Sequence, residues 1–324
     1  MAQKSINKKD VQYFLNNNGI LIGFAAIFIF LSAFAPNFLS ADNMVNILKQ
    51  ISCIGIATIG VGILIIMNNN DLSIGSMFGL GGVAAGLMVS TSVAGMGFPA
   101  PVGFLAGIGI GLLFGLFNGV VVAKGHIPAF IVTMGTQSIA RGLALVLAHG
   151  MPIGGFPDTF NYLGTASLFG VVPFTVIIFI IVVFVMNFVM KKRPIGRYIY
   201  AVGGNEDAAK AAGINVDKIK IQAYLIEGAL LGLASTLMAA RLKSASPNLG
   251  TGYELDAIAG CIIGGVSFTG GIGNVFDMVL GALIIGVINN GMDLMGVEAF
   301  YKQIVKGSII IIAVLLDRKR SGRG

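Results

Sequence analysis

Long apolar runs separated by short polar intervals fill this chain, and their lengths define its elements. A helix rises ~1.5 Å per residue, so crossing ~30 Å of hydrocarbon takes about 20 mostly apolar residues. Ten stretches are read as candidate spans. They run from about Ile20 to Ala35 (ending at Pro36), Val45 to Met67, Leu72 to Ser92, Val102 to Ala123 and Ile127 to Ala148. Then come Val171 to Met190, Ile221 to Arg241, a short Leu255 to Phe268, Asn274 to Met295 and Ala299 to Leu316. The pattern predicts an all-α polytopic membrane protein of about ten transmembrane helices, a single domain over residues 1–324 with polar tails at 1–19 and 317–324. Whether the second and third spans are one helix broken at Asn68 to Ser76 is left open.

The longest polar interval is Lys191 to Lys220, more chain than two antiparallel spans need, so it is expected to carry structure and a task of its own. Asn205 is placed to cap a short helix, Glu206 and Asp207 fall in its first turn, where the helix dipole favours negative charge, and Gly213 supplies a left-handed stop. A helix of about two turns is too short to be stable alone and needs a surface to lie on. In the fourth span Gly107, Gly111, Gly115 and Gly119 recur at every fourth residue, which puts a smooth stripe on one helix face.

Composition narrows the class: 56% of residues are hydrophobic and 11% charged, with 47 glycines that suit close helix packing in a bilayer. The net charge of +7 has the sign for nucleic acid, but the basic residues lie in the tails and one loop, as the positive-inside rule requires, so no nucleic-acid partner is expected. An even number of spans puts both termini on one side. That side collects Lys4, Lys8, Lys9, Lys124, Lys191, Lys192, Arg193, Arg197, Lys210, Lys218, Lys220, Arg318, Lys319, Arg320 and Arg323, and is read as cytoplasmic. The outer-side exceptions are Lys49, Arg241, Lys243, Lys302 and Lys306, most within an end turn where a long stem can snorkel. The N-terminus shows no small-residue cleavage site and reads as an uncleaved start. Cys53 and Cys261 lie in apolar segments and read as packing residues.

Carboxylates at membrane depth cost ~2.5 kcal/mol or more and turn toward a cavity or a partner. The candidates are Asp71, Glu227, Asp256, Asp277 and Asp293. Asp71 follows three asparagines and precedes Ser73 and Ser76; it either lines a pathway or caps a helix by accepting from the amides of Ser73 or Ile74. Asp256, after Tyr253 and Glu254, carries the same two readings, and Arg141 is read as paired or packed. Asp71 is followed by glycine at +4 and +8 (Gly75, Gly79), and Asp256 likewise by Gly260 and Gly264, an echo that fits an inverted five-plus-five repeat. The chain has no GxxxxGK[ST], HExxH or CxxC motif, and His126 and His149 have no partner in sequence. No ATP hydrolysis, enzymatic activity, metal site or bound cofactor is therefore expected of it.

Three stretches carry a resemblance. RYIYAVGGNEDAAKAAGINVDKIKI, TGYELDAIAGCIIGGVSFTGGIGNV and NDLSIGSMFGLGG resemble the signature regions of the membrane-spanning permeases of bacterial ABC importers for ribose, galactose and xylose, and the likeness covers nearly the whole chain. It implies a homodimer in the bacterial inner membrane, an extracytoplasmic sugar-binding protein outside, and inside a separate ATPase that binds ATP and Mg. The segment with Gly204, Asn205, Glu206, Asp207, Ala208, Lys210 and Gly213 matches the family's coupling helix. Asn69, Asn70, Asp71, Ser73, Glu254 and Asp256 are the expected pathway residues. The family commonly has a Gly-Ile pair where Asn69 and Asn70 stand here, which makes this lining more polar. The rival reading is an ion-coupled secondary carrier, whose intramembrane carboxylates bind protons or sodium and which has no need of a capped cytoplasmic helix.

Overall fold

The computed structural model describes residues 8–92 and 95–321, with side-chain surroundings for 21–92 and 95–315. The tail cations Lys4, Lys8, Lys9, Arg318, Lys319, Arg320 and Arg323 therefore have side chains outside the described residues. In chain order the helices are α1 (Lys8–Phe34), α2 (Ala41–Ile66), α3 (Ile74–Val89), α4 (Ala100–Gly125), α5 (Ala129–Leu147), α6 (Asp158–Thr165) and α7 (Phe174–Lys192). They continue with α8 (Pro194–Gly204), α9 (Glu206–Ala211), α10 (Val216–Leu242), α11 (Tyr253–Gly264), α12 (Val275–Leu294) and α13 (Ala299–Ser321).

Every expected span coincides with a helix, but the count of ten is not reached on length and composition. Among the described residues six helices are long and apolar enough to cross a membrane: α2, α4, α5, α7, α10 and α12. For two of the other four the reason is geometric. α3 has 16 residues and α11 has 12, so at ~1.5 Å each they fall short of ~30 Å. Both are buried in protein along most of their length, where side chains and loops replace lipid as their surroundings. The second and third spans are separate helices, divided by the loop of residues 67–73. The all-helical expectation needs one small correction: β1 (Ser167–Leu168) and β2 (Val172–Pro173) form a hairpin after α6, which was itself not foreseen.

α2 and α10 form the interior, with 89% and 78% of their apolar windows buried, against 33%, 28% and 33% for α4, α5 and α7. From Ile51 to Ile66 every residue of α2 is buried and only Ser52 and Thr58 are polar, as a segment buried all round requires. The glycine stripe of α4 is its contact face. An added Cβ would meet Thr236 at Gly107, the Gly228 carbonyl at Gly111, the Tyr224 carbonyl at Gly115 and Ile221 at Gly119, so the backbones of α4 and α10 touch through Gly111, Gly115, Gly228 and Gly232. α10 also packs on α3, while α2 packs on α12 and α11. A reciprocal amide pair, Asn43 to Asn290 at 3.0 and 2.9 Å, fastens the start of α2 to α12.

Four of the five outer-side cations have protein partners. Lys49 donates to the Thr165 carbonyl (2.8 Å), Arg241 to Asn46 (2.7 Å), Lys302 pairs with Asp293, and Lys306 pairs with Asp256 (2.8 Å). Charged groups near the edge of a bilayer are held this way when a carbonyl or carboxylate lies within reach of the stem.

Candidate functional site

Two polar centres and one exposed knuckle stand out from the apolar bulk. The first centre forms where α2 ends. Asp71 is fully buried; its Oδ1 accepts from the Ser73 amide and from Ser73 Oγ (2.6 Å), while Asn118 of α4 reaches Oδ2 at 3.4 Å. The bond from the Ser73 amide anticipated in the cap reading is present, but as an Asx turn before the helix: the cap position belongs to Ser73, which makes no side-chain cap bond. Asn69 is buried and bonds the Met67 carbonyl, Asn70 is half-buried, and Thr133 of α5 holds the loop by accepting from the Leu72 amide. Glu227 of α10 packs its carboxyl against Asp71.

The second centre lies at the start of α11. Asp256 is buried, and its Oδ2 accepts from Lys306 of α13 (2.8 Å) and Asn289 of α12 (3.1 Å). Glu254 is half-buried beside Gly75 of α3, and Arg141 of α5 donates to the carbonyls of Pro247 and Leu249. Gly75 and Gly79 admit this loop, since a Cβ at either would strike the Gly250 or Pro247 carbonyl. The six expected pathway residues thus split between two separate centres, and in this conformation Asn69, Asp71, Ser73 and Asp256 are all covered by protein. Breaking a buried ion pair from one side costs about 3–5 kcal/mol. Asp256→Ala is accordingly expected to lower the detergent-solution melting temperature strongly, and Asp256→Asn with Lys306→Met to recover most of it. A melting curve for Asp256→Ala that matches wild type would show that the pair does not hold α13.

The knuckle is the loop after α7. The expected cap is present: Asn205 Oδ1 accepts from the Ala208 amide (2.9 Å), Glu206 and Asp207 occupy the first turn, and Gly213 has φ 84°. α8, the preceding helix, was not foreseen. α9 rests on this chain's own α8 and α10; Glu206 is tied to α10 by Lys220 (2.9 Å) and also pairs with Lys210 (2.8 Å). Burial works to raise the Glu206 carboxyl, but the hydrogen bonds and charges of Lys210 and Lys220 prevail and hold it below the ordinary glutamate range. The tie is therefore complete at neutral pH and is lost as the pH falls through that depressed range. Glu206 and Lys210 are spent within the chain, leaving Asn205, Asp207, Ala208 and Gly213 as the open face.

The knuckle is locked to the membrane part through backbone. A Cβ on Gly203 would lie 1.8 Å from the Ile66 carbonyl, Gly271 donates to that same carbonyl (2.7 Å), and Tyr200 donates to the Gly273 carbonyl (2.8 Å). Gly204, singled out from sequence, has open space where a Cβ would go. The contact belongs to its neighbour Gly203, which the sequence reading does not single out.

An apolar helical bundle with covered carboxylates at two centres and a capped, exposed polar knuckle is the construction of a membrane transport subunit. The chain belongs to the family described as branched-chain amino acid transport system / permease component, whose model matches residues 43–314. It is 41% identical to the ribose import permease protein of Escherichia coli K12 over 304 residues, 93% of each chain. It is 37% identical over 336 residues to the galactose/methyl galactoside import permease protein of Salmonella typhimurium, covering 98% of this chain and 99% of that one. With the xylose transport system permease protein of Haemophilus influenzae it shares 35% identity over 360 residues, 92% and 95% of the two chains. No solved structure matches.

Proposed function

We propose that this chain is the permease subunit of a bacterial ATP-binding cassette importer, carrying a monosaccharide of the ribose, galactose or xylose type across the inner membrane. Relatives named for those sugars align over nearly its full length, although the family description speaks of amino acids. The observation that carries the reading is the knuckle: a capped helix with an open small-residue face, braced on the C-terminus of α2 through Gly203 and Ile66. A separate ATPase, which would bind ATP and Mg, docks on Asn205, Asp207 and Ala208; its closure moves α2 and, five residues on, Asp71. A second copy of the chain, a sugar-binding protein and lipid complete the surroundings, and both termini lie in the cytoplasm. Alternating access then follows from differential stabilisation of two states by nucleotide in the partner.

The scaffold for that motion is an inverted repeat with exchanged helices. α10 packs on α4 and α3 of the first half, whereas α2 packs on α12 and α11 of the second. Each half also holds an aspartate at the head of its short helix by an asparagine amide from the tail of the next: Asp71 by Asn118, Asp256 by Asn289. On this reading ten of the thirteen helices make up the membrane part, with α3 and α11 too short to span alone.

Purification of the tagged chain from native membranes tests the docking. An ATPase is expected with wild type and at least tenfold less with Ala208→Trp, whose side chain would project from the open face. No ATPase with either, together with uptake that survives ATP depletion and fails without a proton gradient, would establish the ion-coupled carrier instead.

A further inference from the structure

The meeting of Asp71 and Glu227 has a chemistry that neither the fold nor the docking requires. Glu227 is 1% exposed and Asp71 fully buried, and their carboxyls lie within hydrogen-bonding reach of each other. Two carboxylates cannot hydrogen-bond without a proton, because both offer only acceptors. Around them α2 contributes Gly60, Ser73 stands just before α3, α4 supplies the amide of Asn118, and α10 adds Tyr224 one turn before Glu227. Tyr224 is thus the one further titratable group facing them, and no lysine, arginine or histidine pairs with either carboxyl among the described residues. Independently, three buried oxygens here have no partner: Tyr224 Oη, Asn118 Oδ1 and Glu227 Oε1. Two negative charges in such a place, unneutralised, would repel at close range in a medium that screens poorly.

We propose that Asp71 and Glu227 form a proton-binding acid pair, one proton held between the two carboxyls and fastening α10 to the head of α3. A cation in the same place would sit between the oxygens and hold them apart; direct carboxyl contact fits a proton. Asp71 lies in the segment that follows the end of α2 and Glu227 in α10, so any movement that parts α10 from the head of α3 exposes the pair to proton loss. The proposal does not depend on which solute is carried.

The test uses the full chain purified in detergent. Because the unfolded chain releases this proton above the ordinary carboxyl range and the folded chain keeps it, stability falls as pH rises, by up to tenfold in the folding equilibrium per pH unit. Glu227→Gln keeps a donor toward Asp71 without a titrating proton, so its melting temperature is expected to lose that slope. Infrared spectra of wild type should show a protonated-carboxyl band that shifts in heavy water and is missing from Glu227→Gln. Should Glu227→Gln fail to fold, Asp71→Asn makes the same comparison from the other partner. A wild type without the band, or one with the same pH slope as both amide variants, overturns the proposal. Stabilisation of wild type by sodium or potassium that is lost in the amide variants overturns it too, in favour of a bound cation.

Discussion

Gly203→Ala is expected to abolish uptake and sharply reduce the yield of folded protein, while Gly204→Ala leaves both near wild type. The two glycines are neighbours, yet the new methyl at residue 203 would fall 1.8 Å from the Ile66 carbonyl and 2.9 Å from the Gly271 amide, both backbone atoms. Side chains can rotate away from an intruder, but backbone at the junction of three segments has nowhere to go. The junction would open, costing the Gly271 to Ile66 hydrogen bond as well as overpacking of about 3 kcal/mol. Gly204 has no atom within 4 Å of its added Cβ and lies at the end of α8, where alanine improves helix propensity by up to about 1 kcal/mol. Expression yield, melting temperature and uptake of the two variants decide the matter. Equal behaviour would mean that the knuckle is not braced on α2.

Gly111→Ala is expected to disrupt the packing of α4 on α10 strongly. Its Cβ would lie 2.0 Å from the Gly228 carbonyl and 2.8 Å from the Gly232 amide, so α4 and α10 would have to separate along their whole seam. Without water to drive apolar burial between helices in a bilayer, close van der Waals packing is the main cohesive term, and separation forfeits it. A loss of about 3 kcal/mol or more follows, read as a lowered melting temperature and increased proteolysis of the α4–α10 region. Gly109, two residues earlier on the opposite face, has open space around its Cβ position, and Gly109→Ala should be silent.

How far the sequence reached differs from residue to residue. The stripe Gly107 to Gly119 was readable because four-residue spacing keeps one face of any α-helix, whatever it touches. Its partner was not, since α10 joins α4 across some hundred residues of chain and only the folded bundle brings Gly228 and Gly232 opposite. The cap at Asn205 and the stop at Gly213 were readable because both are local backbone chemistry. α8 escaped notice because its opening, Pro194 to Tyr198, mixes charge with apolar residues and was absorbed into a polar loop. Asp71, Glu227 and Asp256 are legible as carboxylates out of place, but not that Glu227 meets Asp71, since α10 starts five residues before the expected span and carries Glu227 into the interior.

What the sequence determined by itself is whatever depends on composition and short-range order: the membrane class, the positions of the helices, the capped knuckle, the glycine faces and the family likeness. Tertiary structure alone decided which groups meet. It paired Lys306 with Asp256 and Arg241 with Asn46, set Glu227 against Asp71, and chose Gly203 over Gly204 as the point of contact. The physical reason is that helix periodicity and capping act within a few residues, whereas a buried charge or a bare backbone face is satisfied only by a distant segment, and its place in the sequence does not name that segment.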